Sequence, residues 1–220
     1  MPETAAETKV ELRSRTLHLG VDIARYGDDE TVIAPRMGGK LFELQGYHKQ
    51  DTTQTTGYVI QTARNYHSLY PFINEVVVKL DDDGVGGGVT NQLEELLRTE
   101  MFPFELRILP IGNGRTAIYE EHYENRGTEI WASVRDQLQE NLSQYVQGAS
   151  PTVEFPNDEK LISQLTTRKY RMSGKGRIVL ERKEDMKKRG LASPDRADAV
   201  ALAFATEKEM HWSTDRPAGW

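Results

Sequence analysis

Four carboxylates carry most of the chemistry this chain has to offer. Asp22 closes an apolar stretch in GVDIARYGDDETV, Asp81 opens an acidic triple in VVVKLDDDGVGGGV, and Asp195 and Asp198 lie three apart in SPDRADAVALA. Each station begins or ends a regular element. Carboxylates arranged in this way can converge on two divalent metal ions, Mg²⁺ or Mn²⁺, which take oxygen ligands. Such a pair hydrolyses phosphodiester bonds by stabilising both the attacking and the leaving oxygen. The expected catalytic and metal-ligating residues are therefore Asp22, Asp81, Asp195 and Asp198.

Each station also has a plainer reading. Asp22 could be a turn residue ahead of Gly27, although Asp is depleted in strands and costly to bury alone. The Asp28-Asp29 pair is read as turn chemistry. Asp83 could cap the helix that follows. Three consecutive carboxylates exceed what a cap requires, and their mutual repulsion favours a cation. Asp81, nearest the strand end, is the expected ligand ahead of Asp82 and Asp83. Asp195 could serve only the helix dipole. Asp198 sits among Ala197, Ala199, Val200, Ala201 and Leu202, on a helix apolar enough to be packed, where a buried carboxylate wants a partner.

Other chemistries are excluded or weak. With no cysteine in 220 residues, disulfides, thiolate zinc sites and thiol nucleophiles are ruled out. The five histidines show no paired metal-ligand spacing. The glycines after Asp83 fit neither GxxxxGK[ST] nor GxGxxG, and they are read as letting a helix start close against a sheet. No apolar run approaches the ~20 residues that span a bilayer, and the first residues lack the apolar core of a secretion signal. Net charge is −6, yet residues 160–189 hold 11 Lys/Arg against 3 Asp/Glu. A basic flank beside an acidic centre suits a nucleic-acid partner, although it also describes an ordinary charged surface.

The elements that must position these groups follow from periodicity. Strands are expected at residues 16–23, 30–36 and 40–49, forming a meander, with a turn at 25–29. A helix over 52–69, a buried strand over 75–80, a helix to about 98 and a strand over 105–110 come next. Residues 112–125 read as a loop carrying Arg115, Tyr119 and His122. An amphipathic helix over 128–146 places Trp131 in the core. A short helix at 158–165 precedes a hairpin, 166–172 with 177–180, around Ser173-Gly174-Lys175-Gly176. Ser193-Pro194-Asp195 is expected to cap a last helix over about 196–208. The order βββαβαβα gives an α/β fold, a ribonuclease H-like mixed sheet flanked by helices with an added hairpin. Residues 1–15 are read as a polar linker, 16–208 as the domain and 209–220 as a loose tail.

The strings GVDIARYGDDETVI, VVVKLDDDGVGGGVTNQL and GLASPDRADAVALAFA, together with NRGTEIWASVRDQL, resemble the nuclease domain of phage terminase large subunits, the DNA-packaging motor proteins. The resemblance runs from about residue 17 to residue 206. It implies a ribonuclease H-like enzyme that cuts concatemeric double-stranded DNA at the start and end of packaging. It gives Asp22, Asp81, Asp195 and Asp198 the role of metal ligands, with Asp195 at a position that is not always acidic in the family. It implies that the hairpin around Lys175 approaches DNA, and Arg168, Lys169, Arg171, Lys175 and Arg177 are expected to touch phosphates. Portal and small terminase subunit are implied partners of the full protein, acting in the host cell cytoplasm. The family's N-terminal ATPase has Walker motifs and this chain has none, so an isolated nuclease domain is expected. Two rivals stand beside this reading. One is a junction resolvase or transposase core; the other is a non-catalytic DNA-clamping or portal-docking module.

Overall fold

Strand β1 (Thr16–Asp22) alternates strictly. Leu17, Leu19 and Val21 point to one face, so His18, Gly20 and Asp22 point to the other. The neighbouring strand β5 (Glu75–Asp81) repeats the pattern, with Val76, Val78 and Leu80 sharing the first face and Lys79 and Asp81 the second. The two strands run parallel with Val21 opposite Leu80. One further step along both brings Asp22 and Asp81 to the same edge and the same face.

The computed structural model describes residues 10–24, 29–83 and 86–206. Around the β1/β5 pair lies a six-stranded mixed sheet. β2 (Thr31–Met37) is antiparallel to β1, and β6 (Glu105–Ile111) is parallel to β5. β3 (Lys40–Leu41) and β4 (Gln45–Tyr47) both pair with β2, giving the order β3-β2-β1-β5-β6 with β4 beside β2. This is the ribonuclease H-like α/β plan.

Helices α1 (Thr52–Leu69) and α2 (Gly86–Thr99) cover the first face, where Val59, Ala63, Val89 and Leu93 are fully buried against the strand residues. Asp51 caps α1, with Gln54 completing the capping box. Gly86 begins α2 where a Cβ would lie 1.7 Å from the Asp81 carbonyl oxygen, so the glycine is what lets the helix start against the acidic strand end. The second face receives α3 (Arg126–Val146), α4 (Glu159–Thr167) and α6 (Asp195–Phe204), packed through Val32, Ala34, Ile130, Val134 and Leu161.

α6 lies very close to the sheet. Its buried residues include Ala197, Ala199, Ala201 and Ala203, and a Cβ on Gly20 would stand 2.0 Å from the Ala199 carbonyl oxygen. Arg36 Nε donates to the Ala203 carbonyl at 2.9 Å, and the Lys79 ammonium donates to the Ala205 carbonyl. These cations satisfy carbonyls at the helix C-terminus, where positive charge is favourable. The helix is thereby fixed along its axis, with its first turn over Asp22.

A small hairpin, β7 (Tyr170–Met172) with β8 (Ile178–Leu180), and a short helix α5 (Lys183–Lys188) complete the described chain. The hairpin strands are shorter than expected, because residues 166–167 belong to α4. The third expected strand divides into β3 and β4. The long amphipathic helix starts two residues earlier than expected, at Arg126, behind the N-cap Asn125. α5 was not anticipated. Ser193 does not cap α6: Pro194 occupies the N-cap position with no side-chain cap, and Ser193 Oγ has no hydrogen-bond partner. Much of the expected turn at 25–29, the linker residues 1–9, residues 207–208 of the last helix and the tail 209–220 lie outside the described residues. Among the described residues no helix is long and apolar enough to cross a membrane.

Candidate metal centre and nucleic-acid interface

The register and the docking of α6 place the acidic stations together. Asp22, Asp195 and Asp198 are buried at 4%, 6% and 7% exposure, so all three carboxylates need compensation. It comes from a residue not singled out in the sequence. Lys183, the first residue of α5, places its Nζ 2.8 Å from Asp198 Oδ2, 3.6 Å from Asp22 Oδ2 and 3.8 Å from Asp195 Oδ1. The ammonium is thus shared among the three carboxylates. Among the described residues no three acidic or histidine side chains stand in a ready metal-ligand arrangement; the carboxylates surround Lys183 instead.

Asp195, Asp81 and Asp198 are also held by further donors. The Glu30 N–H donates to Asp195 Oδ2 at 2.9 Å. Asp81 accepts the Asp83 N–H on Oδ1 at 3.0 Å and Asn113 Nδ2 on Oδ2 at 2.7 Å. Asp198 Oδ1 accepts Trp131 Nε1 at 2.6 Å and Arg168 Nη1 at 2.8 Å. Arg196, next to Asp195, ties α6 to Glu30 at 3.0 Å, and Lys160 reaches the same carboxylate at 2.6 Å. Asp82 and Asp83 are used in other ways: Asp82 accepts the Thr90 hydroxyl, and Asp83 accepts the Gly114 N–H.

The electrostatics separate the two central carboxyls. Burial raises Asp22 well above the ordinary carboxylate range; Lys183 opposes this, while Asp198, Asp195 and Asp81 reinforce it. Burial also acts on Asp198, but Lys183 and Arg168 outweigh it and hold that carboxyl below its ordinary value. Asp81 is raised, chiefly by burial. Lys183 is held firmly in the charged form: burial opposes the charge, but Asp22, Asp198 and Asp195 more than offset it. The charged form is thus disfavoured at Asp22 and favoured at Asp198.

A cleft of about 290 Å³ reaches Asp81, Asp198 and Lys183 and is lined also by Asn113, Trp131 and Arg168, whereas Asp22 and Asp195 lie outside its lining. The hairpin borders it. β8 is anchored to the start of α3, with the Leu180 N–H on Thr128 Oγ1 and the Glu124 N–H on the Ile178 carbonyl. Lys169, Arg171 and Lys175 are exposed and Arg177 is half-buried on or beside this hairpin. Gly176 takes φ +74 at its tip, a left-handed turn position that suits glycine.

Arg168 departs from the expected set of phosphate contacts. Its side chain is 9% exposed, paired with Asp198 and laid over the Trp131 ring at 4.5 Å, because a buried carboxylate attracts it more strongly than solvent does. Trp131 is buried as expected, yet its indole N–H belongs to the acidic centre. His122 lies outside the cleft, its side chain exposed beside Glu121.

No family model matches the sequence, and no curated protein does. Solved structures do. The nuclease domain of the large terminase subunit gp2 of bacterial virus Sf6 superposes with a TM-score of 0.71 at 18% identity, over 87% of this chain and 89% of that one. A point mutant of the same domain, solved with manganese, gives 0.68 at 18% identity over 87% and 88%. The large terminase nuclease domain of Thermus phage P74-26 gives 0.51 at 14% identity over 86% and 78%. The chain has the fold of the nuclease domains of phage large terminase subunits, the family its sequence motifs resemble.

Proposed function

We propose that this chain is a metal-dependent endonuclease that cuts double-stranded DNA with little sequence preference, acting on concatemeric viral genome during packaging in the host cell cytoplasm. The observation that carries the reading is the convergence of Asp22, Asp195 and Asp198 on the Lys183 ammonium, with Asp81 and Asp198 lining a cleft bordered by a basic hairpin. The fold of the terminase nuclease domains supports it.

The donor set fits two hard divalent ions. It is all carboxylate oxygen, one member is destabilised in its charged form by burial and by like charges, and a monovalent ammonium now supplies the compensation. Asp22, Asp81, Asp195 and Asp198 would hold the ions. Mg²⁺ or Mn²⁺ there supplies water activation and stabilisation of the leaving 3′-oxygen. The chain's own residues do the rest. Asp22 and Asp81 project from adjacent strands and Asp195 and Asp198 from one helix, so rigid elements hold the backbone from which the ligand side chains extend. Lys183 must withdraw from Asp198 for the carboxylates to close on a smaller, doubly charged ion. Lys169, Arg171, Lys175 and Arg177 bind phosphates, which position a duplex without reading its bases. Portal and small terminase subunit are the partners that this reading implies for the full packaging machine.

The test is supercoiled plasmid incubated with the protein and Mg²⁺, Mn²⁺ or EDTA. Nicking and linearisation that EDTA stops are expected. Intact plasmid with every metal, from folded protein, would favour a DNA-clamping module. Cutting confined to branched DNA would favour a resolvase.

A further inference from the structure

Asp198 is the most tightly held of the four carboxylates. Its Oδ1 accepts two hydrogen bonds, from Trp131 Nε1 at 2.6 Å and Arg168 Nη1 at 2.8 Å, and its Oδ2 alone faces Lys183 Nζ at 2.8 Å. The two donors are themselves locked together. The Arg168 guanidinium lies 4.5 Å from the centroid of the Trp131 ring, and its Nε donates to the Glu181 carbonyl at 3.0 Å. Trp131 cannot turn, because α3 buries it beside Ile130 and Val134.

A carboxylate oxygen has about two lone-pair sites, so two donors saturate Oδ1. The carboxylate can therefore neither rotate nor offer both oxygens to one ion. Packing does not explain the choice of residue at position 131, since Phe or Leu would fill an apolar site without a polar group to satisfy. An indole adds one donor in a fixed direction, and here that donor is spent on a metal-ligand carboxylate. Resting on the metal-centre reading above, we propose that Trp131, with Arg168 stacked on it, is a positioning residue that makes Asp198 a one-oxygen ligand, through Oδ2, for a divalent ion. Arg168 sits at the C-cap of α4, two residues before β7, so the root of the basic hairpin is joined to the same ligand.

The experiment is calorimetric titration of the whole chain with Mn²⁺ alone, without DNA, alongside thermal melting in EDTA. Trp131→Phe keeps one ring beneath the guanidinium and removes the donor together with part of the buried ring volume, whose effect the melting temperature reads. Arg168→Lys keeps the charge near Asp198 and loses the planar fork and the stack. Partners that orient a metal ligand typically contribute 10- to 100-fold in affinity, so the Mn²⁺ dissociation constant should weaken by roughly that factor in Trp131→Phe and by about 10-fold in Arg168→Lys. A purely structural role would lower the melting temperature and leave Mn²⁺ affinity in the folded protein unchanged. Mn²⁺ binding within twofold of the parent in both variants overturns the proposal. If only Trp131→Phe weakens binding, the part given to Arg168 is overturned. If Trp131→Phe fails to fold, Arg168→Lys decides alone. A parent chain that binds no Mn²⁺ overturns the metal centre itself, which is a separate outcome from a parent that binds and variants that bind equally well.

Discussion

Lys183 Nζ and Asp198 Oδ2 are 2.8 Å apart at the centre of the acidic cluster, so the protein supplies its own cation among the carboxylates proposed to hold metal. Removing it as Lys183→Ala leaves buried carboxylates uncompensated. A fully buried pair broken in this way costs about 3–5 kcal/mol. The Lys183 side chain is 37% exposed, and solvent screening reduces the expected loss to about 1–3 kcal/mol in EDTA. Mn²⁺ should then raise the melting temperature of the variant more than that of the parent. Equal Mn²⁺-induced shifts would show that the ammonium does not compete with metal.

Asp22 and Asp198 should behave differently when neutralised. Both changes remove a proposed ligand of a metal ion that would supply several kcal/mol of transition-state stabilisation, so plasmid cleavage should fall by roughly 10³-fold or more in each. Stability should separate them. Burial and like charges already disfavour the charged form of Asp22, so Asp22→Asn should melt at or above the parent temperature. Asp198 is held ionised by Lys183 and Arg168, so Asp198→Asn should melt lower. Cleavage retained in either variant contradicts the ligand assignment.

Gly20→Ala tests the docking of α6. The added Cβ would meet the Ala199 carbonyl oxygen at 2.0 Å and the Ala203 nitrogen at 2.4 Å. These atoms are α6 backbone and cannot yield as a side chain does, so the cost should reach the upper end of the usual ~1–3 kcal/mol for overpacking. Any relief moves Asp198 away from Asp22, so cleavage should be lost even where the fold survives. Gly174→Ala, at the hairpin tip with nothing within 4 Å, is the matched control and should change neither property.

The exposed hairpin cations should act through phosphates. Replacing Lys169, Arg171 and Lys175 by Ala should weaken duplex binding equally for unrelated sequences. The slope of log affinity against log salt should flatten by roughly 0.9 for each lost contact. Binding measured by fluorescence anisotropy at several salt concentrations reads both effects. A sequence-dependent loss would be inconsistent with a backbone-reading surface.

His18 predicts an acid-sensitive stability unrelated to the cleft. Burial, with Lys79, Arg36 and Arg107 nearby, lowers its pKa from 6.5 to about 2, and its Nδ1 has no partner. Below pH 6.5 the unfolded chain takes up a proton that the folded chain refuses. The unfolded state then binds more protons, and stability falls as pH drops, by about 1.4 kcal/mol per pH unit. His18→Phe should lessen the stability lost between about pH 7 and pH 5 by about 2 kcal/mol. Urea unfolding at both pH values measures it, and identical losses in parent and variant would exclude His18 as the source.

The sequence by itself determined the parts whose signal is local. The apolar patterns of residues 16–23 and 75–80 specified two buried strands, the first carrying Asp22 near its end and the second stopping at Asp81. The alanine-rich run after Asp195 specified a helix able to lie close on a sheet, and the glycines from Gly86 specified a helix starting against a strand. Those periodicities arise from backbone geometry, so they can be read without knowing what lies across the fold. Tertiary structure alone decided the contacts that join the stations. Parallel pairing of β1 with β5 set the two strand carboxylates side by side, and Gly20 admitted α6 to within reach of them. Residues 160–189 are so rich in Lys and Arg that no local pattern separates the inward cations from the outward ones. Lys183 and Arg168 turn inward because the buried carboxylates of Asp22, Asp195 and Asp198 are there to receive them, whereas Lys169, Arg171 and Lys175 stay exposed at the surface. The direction of a long charged side chain depends on the field around it, and that field comes from residues more than a hundred positions away in the chain as well as from near neighbours.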